Sequence, residues 1–271
     1  MIAAIRSEYR KFFSTRLWWI LMLGMFVYTA AMAAGLAALY NSMGSGGSDA
    51  PTGIDFSDYR LVIYGLAPSM AYVFPAIVGA LGWTNEYRHH TTTPTYLGEP
   101  RRLVLSVAKA VAGIPMGLVI GAVGTLGALA GGVVGFIATG YDAGLTLVAT
   151  WQTLGLSVLA LTIWAVVGVG LGMLVTSQVG VIIILLVWTQ LIEALLRVGL
   201  MYFKATQQIP QYLPGALSEG IAGGHSIYNL VGAAFQVDSS LPTWQAALML
   251  AGYGVVFGIV GYFVRIRRDV Q

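Results

Sequence analysis

Apolar residues in this chain come in long blocks, and polar residues are gathered into the stretches between them. A bilayer core roughly 30 Å thick takes about 20 consecutive apolar residues in helical form. Six blocks reach that length, at about 17–39, 61–83, 108–137, 146–174, 180–200 and 244–264. The pattern predicts an all-α polytopic membrane protein, with residues 1–271 forming a single transmembrane domain. Ahead of the first block, Ile5, Tyr9, Phe12 and Phe13 recur at helical spacing, with Arg6, Arg10 and Lys11 on another side. That arrangement predicts a helix over about 2–16 lying in the membrane interface. Ala31-Met32-Ala33 has the small-residue look of a signal-peptide cleavage site, but the apolar run continues past Leu39, so the block reads as a span.

Glycine and proline refine this picture. Pro68 and Pro75 fall inside the second block. A proline within a helix removes a backbone hydrogen bond, and membrane proteins tolerate the break where protein or a cavity covers it. The second span is therefore expected as a kinked helix that faces protein or a pathway. Gly113, Gly117 and Gly121, then Gly127, Gly131 and Gly135, then Gly254 and Gly258 repeat every four residues. Such ladders let helices approach closely, and packing within the chain is the expected use ahead of a dimer seam. Residues 40–60 read as a polar outer loop. Residues 201–243 carry Leu217, Ile221, Tyr228, Val231 and Phe235 at helical intervals between turns at Pro210, Pro214 and Pro242. They are expected to form two short re-entrant or interfacial helices on the outer side.

Composition supports the membrane assignment. Charged residues make up 9% of the chain and hydrophobic residues 57%, with a mean hydropathy of +0.78. A soluble domain carries about a quarter charged residues. Cysteine is absent, which excludes disulfides, thiolate metal sites and a cysteine nucleophile. Eleven of the 14 basic residues fall in three stretches: Arg6, Arg10, Lys11 and Arg16; Arg88, Arg101, Arg102 and Lys109; and Arg265, Arg267 and Arg268. An even number of spans puts these stretches on one face, and the positive-inside rule makes that face cytoplasmic. The expectation is a multi-pass protein of a bacterial plasma membrane with both termini in the cytoplasm. The basic balance is then a topology signal, and no nucleic-acid partner is expected.

Little catalytic chemistry is legible. No P-loop, H-E-x-x-H or G-x-S-x-G pattern occurs, so no catalytic residue is assigned. His89 and His90 are adjacent and lack acidic companions at ligand spacing, so no metal site is expected. His225 and Asn229 form the H-x-x-x-N pattern of some intramembrane prenyl-protein proteases, without the paired glutamates those enzymes use. An intramembrane protease or lipid-modifying enzyme is the alternative from another class, and a non-transporting sensory subunit is a second. Within the fifth span, Gln190, Glu193 and Arg197 stand at i, i+3 and i+7 and share a face. An ionisable group in a membrane helix marks a pathway or pairs within the protein, and Glu before Arg at i+4 suits a pair. Both readings stand at this point.

The densest polar stretch lies between the second and third spans. It runs over about 85–106 and holds Glu86, Tyr87, Arg88, His89, His90, Thr91, Thr92, Pro100, Arg101 and Arg102, with Lys109 just beyond. It is too short for a domain and well sized for a helix pressed on a soluble partner at the membrane face. The succession Glu86-Tyr87-Arg88-His89-His90-Thr91, then Pro100-Arg101-Arg102 and Lys109, resembles the permease subunits of type-2 ATP-binding-cassette (ABC) exporters. Ser7-Glu8-Tyr9-Arg10-Lys11 and Tyr212-Leu213-Pro214 add to the likeness, which covers essentially the whole chain. His90 departs from it, since many relatives have glycine before the threonine.

The resemblance implies a permease dimer, homomeric or heteromeric, bound to cytosolic P-loop ATPase subunits that carry the ATP and magnesium. No cofactor belongs to this chain itself. The connection between spans two and three becomes a coupling helix, with Glu86 and Arg88 positioning it and Arg101 and Arg102 meeting acidic groups or lipid phosphates. Spans one, two and five line the pathway in such permeases, which makes Gln190, Glu193 and Arg197 the pathway candidates. The expected cargo is apolar or amphipathic, such as a drug, lipid or lipopeptide.

Overall fold

The computed structural model describes residues 2–44, 59–89, 91–99, 101–225 and 241–266. These residues are helical apart from their connections. Among the described residues five helices are long and apolar enough to cross a membrane: Leu17–Leu39, Arg102–Ala138, Val148–Leu174, Gln178–Tyr202 and Thr243–Arg265. The protein is a multi-pass helical bundle.

The chain begins with α1 (Ile2–Ser14), turns at Thr15 and Arg16, and enters α2 (Leu17–Gly44). At the turn the Phe13 and Trp18 rings meet edge to face at 5.3 Å. The long helix α7 (Arg102–Ala138) packs against α2 and α1 and against α8 (Val148–Leu174). Helix α8 is the centre of the bundle. Of its most apolar stretch 61% is buried, against 22% for Gln178–Tyr202 and 17% for Thr243–Arg265. The last two segments therefore turn most of their apolar surface outward.

The glycine ladders account for the closeness of these contacts. Gly117 and Gly121 of α7 face Ala165, Thr162 and Leu161 of α8, where a Cβ on Gly117 would lie 2.8 Å from the Ala165 Cβ. Further along, Gly127, Gly131 and Gly135 face Phe26, Ala30 and Ala37 of α2. One ladder thus serves each neighbour, both inside the chain. Gly254 likewise abuts Val167 of α8, whereas among the described residues nothing lies within 4 Å of a Cβ at Gly258.

The second apolar block departs from the expected single kinked helix. It forms α3 (Tyr59–Tyr64), α4 (Leu66–Met70) and α5 (Val73–Arg88), with breaks at Gly65 and at Ala71–Tyr72. The longest piece has 16 residues. The prolines explain the difference. Pro68 and Pro75 each occupy the third position of a new helix, where a missing N–H has no intrahelical partner to lose. They begin helices instead of bending one. Nearly every side chain from Leu61 to Leu81 is buried, so the breaks face protein. Tyr64 Oη donates to the Ala143 carbonyl at 2.6 Å near one end of the segment, and Arg88 donates to Gln178 at 2.8 Å at the other.

The fifth block is also discontinuous: α9 (Gln178–Val187) passes through a π-helical turn, Trp188–Ile192, into α10 (Glu193–Tyr202). A 3₁₀ turn at Pro210–Tyr212 follows, then α11 (Pro214–Ile221). Helix α11 packs on α4, α8 and α12 (Thr243–Gly261), with Leu217 and Ile221 buried. It is a short helix set into the bundle. Gly223 and Gly224, with φ of 99° and 75°, turn the chain out of it. The second helix expected over 226–240, with Tyr228, Val231 and Phe235, lies outside the described residues.

Candidate functional site

Two groups of residues combine unusual chemistry with defined geometry, one just after the end of α5 and one at the break between α4 and α5. The first is the connection after α5. The His89 N–H donates to the Asn85 carbonyl at 3.0 Å, and the Thr91 N–H to the Glu86 carbonyl at 3.0 Å, closing α5. A seven-residue helix, α6 (Thr92–Gly98), follows before α7 begins at Arg102. Tyr96 and Tyr87 fix α6 to the bundle, packing on a buried group formed by Trp83, Leu105, Val169 and Met173. The Arg102 guanidinium lies 5.3 Å from the centre of the Tyr96 ring, a cation–π contact. Burial and the neighbouring Tyr87 push the Tyr96 hydroxyl up to about 12, and burial also raises Tyr87, so both stay neutral across the physiological range.

This anchoring decides what α6 shows to the outside. Thr91, Thr93, Pro94 and Leu97 are exposed, and Leu97 is 81% exposed. Arg88 and Arg101 are exposed as well, Tyr87 and Arg102 are half-buried, and Thr92 is buried. Pro100 and His90 lie outside the described residues. Glu86 does not face outward with Arg88: only 3% of it is exposed.

Glu86 instead joins a charge cluster that the sequence did not reveal. Lys109 Nζ donates to Glu8 Oε2 at 2.8 Å, to Glu86 Oε1 at 2.7 Å and to the Gly82 carbonyl at 2.7 Å. Lys11 Nζ donates to Glu8 Oε1 at 3.0 Å and to Glu86 Oε1 at 2.7 Å. Two lysines and two glutamates thus bind α1, α5 and α7 together, and Lys109 also lies 4.9 Å from the centre of the Trp83 ring. Burial pulls the Lys11 ammonium down, but Glu86 and Glu8 outweigh it and hold the group above its ordinary value. The signal available in the sequence was Lys109, about two turns into an apolar helix, where a lone ammonium is costly.

The second group lies where α4 gives way to α5, against α10 and α11. Glu193 and Arg197 are both buried. Arg197 donates from Nη2 to Glu193 Oε1 at 2.7 Å and from Nη1 to Glu219 Oε1 at 2.8 Å. Glu193 Oε1 also accepts from the Gly215 N–H at 2.7 Å and the Ala216 N–H at 3.1 Å, the first turn of α11. A carboxylate is favoured there by the free N–H groups of the helix start. Its Oε2 accepts from Tyr72 Oη at 3.1 Å, and Tyr72 stacks on Trp164 with centroids 4.5 Å apart. Gln190 separates from the pair: it is exposed and donates from Nε2 to the Met70 carbonyl at 3.2 Å, satisfying a group freed by the break after α4.

Glu219 belongs to the stretch expected on the outer side, yet it is 3% exposed and the second carboxylate on Arg197. Ser69 Oγ, Trp164 Nε1 and Ser218 Oγ are buried nearby on α4, α8 and α11 with no hydrogen-bond partner among the described residues. Among the described residues no three histidine, aspartate or glutamate side chains come together to hold a metal ion. No protein-family model and no curated protein matches the chain.

Proposed function

We propose that the protein is the transmembrane permease subunit of an ABC exporter. In this reading it moves an apolar or amphipathic substrate, a drug, lipid or lipopeptide, out of the cell. The energy comes from a separate cytosolic P-loop ATPase, which binds the ATP and magnesium. The α3–α5 segment completes six passes, both termini are cytoplasmic, and two permease copies assemble in the plasma membrane.

The observation that carries the reading is α6. A short helix stands between two membrane-length segments, rooted through Tyr96 and carrying an exposed Leu97. An exposed leucine on an anchored helix suits insertion into a groove on a soluble partner. The root is stiff, because Glu86, in the last turn of α5, is tied to α1 and α7 through Lys11 and Lys109. A push on α6 therefore reaches the bundle. ATP binding that closes the ATPase pair shifts the bundle between its states through that connection. Glu86 supports coupling from inside, while Arg88, Thr91, Leu97 and Arg101 form the contact face. Glu193 and Arg197 are the pathway candidates in this reading, with their tie to α11 as the element that transport would remodel.

The test is purification in mild detergent with nucleotide present, followed by identification of bound soluble proteins. The expected result is a stoichiometric P-loop ATPase that is lost from Leu97→Asp, with the variant's melting temperature unchanged. A stable preparation that carries no ATPase in several detergents would overturn the reading.

A further inference from the structure

A cavity of about 270 Å³ lies between α1, the start of α2, α5 and α7. Its two ends differ in chemistry. One is lined by Glu8, Lys11, Glu86 and Lys109; the other lies about two turns further along α5 and α7, at Val78 and Met116, beside Leu21 of α2. Ser14 and Thr15, both exposed, form part of its edge.

The hydrogen bonds of the charged end are incomplete in a specific way. Lys109 uses all three of its N–H groups. Lys11 uses two of three, and its side chain is 40% exposed. Glu86 accepts both lysines through Oε1, whereas its Oε2 has no partner among the described residues although the side chain is only 4% exposed. Glu86 lines the cavity, so this oxygen is open to an occupant and can accept a hydrogen bond from one. The cluster therefore offers one acceptor, Glu86 Oε2, and one donor, the third N–H of Lys11. Its two lysines and two glutamates cancel in charge.

We propose that this cavity binds one amphiphile whose head carries a primary ammonium beside a phosphate, the chemistry of a phosphoethanolamine lipid. The ammonium donates to Glu86 Oε2 and the phosphate accepts from Lys11. A net-neutral head matches a cluster with no net charge. A purely anionic head leaves Glu86 facing negative charge, and a quaternary ammonium has no N–H to give. The apolar end takes the first part of one acyl chain, since a volume at the small end of ligand pockets cannot admit two whole chains. The site lies at the same end of the bundle as α6, so its occupant braces α1 against the root of that helix. The inference rests on the membrane fold and does not depend on the transport reading.

The experiment is native mass spectrometry of the full chain, delipidated in detergent and offered equal amounts of phosphatidylethanolamine, phosphatidylcholine and phosphatidylglycerol. The expected result is one phosphatidylethanolamine per chain, retained at least about tenfold better than the other two. Met116→Trp and Ser14→Trp, which fill the cavity and its edge without touching the charge cluster, are expected to abolish that retention and melt as the parent does. Ser14→Trp carries the test alone if Met116→Trp fails to fold. Glycerophosphoethanolamine, which has the head and no chains, is expected not to compete. Equal retention of the three lipids, retention unchanged in the variants, or displacement by the chainless head at the concentration of the lipid overturns the proposal.

Discussion

Arg197 is the residue on which the inner polar network turns. It holds Glu193 on its own helix and Glu219 on α11, and Glu193 in turn caps the first turn of α11 and accepts from Tyr72. A buried ion pair adds little net stability over apolar packing, but removing one partner strands the others. Arg197→Ala leaves two carboxylates buried without their guanidinium and is expected to destabilise the protein by ~3–5 kcal/mol. Replacing Glu193 and Arg197 together by leucine takes from buried Glu219 the guanidinium it is paired with and is expected to cost nearly as much. Adding Glu219→Leu is expected to recover most of the loss. Thermal unfolding in detergent measures all three, and a pair variant as stable as the triple would show that Glu219 is not part of the network. The Glu193–Arg197 half was legible, because both residues sit at helical spacing inside an apolar run. The Glu219 half was not, because its stretch is too short to read as a span and its charge fits a polar loop equally well.

At the scale of elements, α5 and α8 pack backbone to backbone, and they do so reciprocally. Gly79 of α5 faces the Ala165 carbonyl, while Gly168 and Gly172 of α8 face the carbonyls of Ala76 and Ala80. Backbone meets backbone, so no side-chain rotamer can relieve an added atom. Gly79→Leu is expected to cost at least ~3 kcal/mol by overpacking. Gly155→Leu, where nothing lies within 4 Å of a Cβ, is expected to be neutral within ~0.5 kcal/mol. Equal melting temperatures for the two variants would remove the basis for this packing. The ladders at four-residue spacing were legible in α7, but not which neighbour each one served. Gly79, outside any ladder, gave no signal. The broken second segment was half legible: Pro68 and Pro75 announced an irregularity, and its form depended on where each helix restarted. Gln190 shows the same limit. Its spacing grouped it with Glu193 and Arg197, whereas the break after α4 provides the carbonyl that it satisfies.

For the whole molecule, the passage of α3–α5 decides the topology. Five helices are long enough to cross, and with five passes the two ends of the chain would lie on opposite faces. The contacts at the ends of α3–α5 favour a sixth crossing. At one end Arg60 pairs with Asp142 at 3.2 Å, joining the segment to the connection between α7 and α8. At the other, Glu86 meets Lys11 of α1 and Lys109 of α7. The block of apolar residues and the clustering of basic ones raise the same six-pass expectation from the sequence, because burial of a whole segment leaves a continuous apolar run even where the helix is broken. A chain without cysteine allows a direct check by single-cysteine labelling with a membrane-impermeant thiol reagent. Ser14→Cys and Thr93→Cys, both exposed, are expected to react from the cytoplasmic face only, and Tyr141→Cys, 41% exposed in the parent, from the outer face only. If α3–α5 folds back without crossing, α6 emerges on the side opposite α1, and Ser14→Cys and Thr93→Cys label from different faces. That result would move α6 out of reach of any cytosolic ATPase and end the exporter reading along with the six-pass topology.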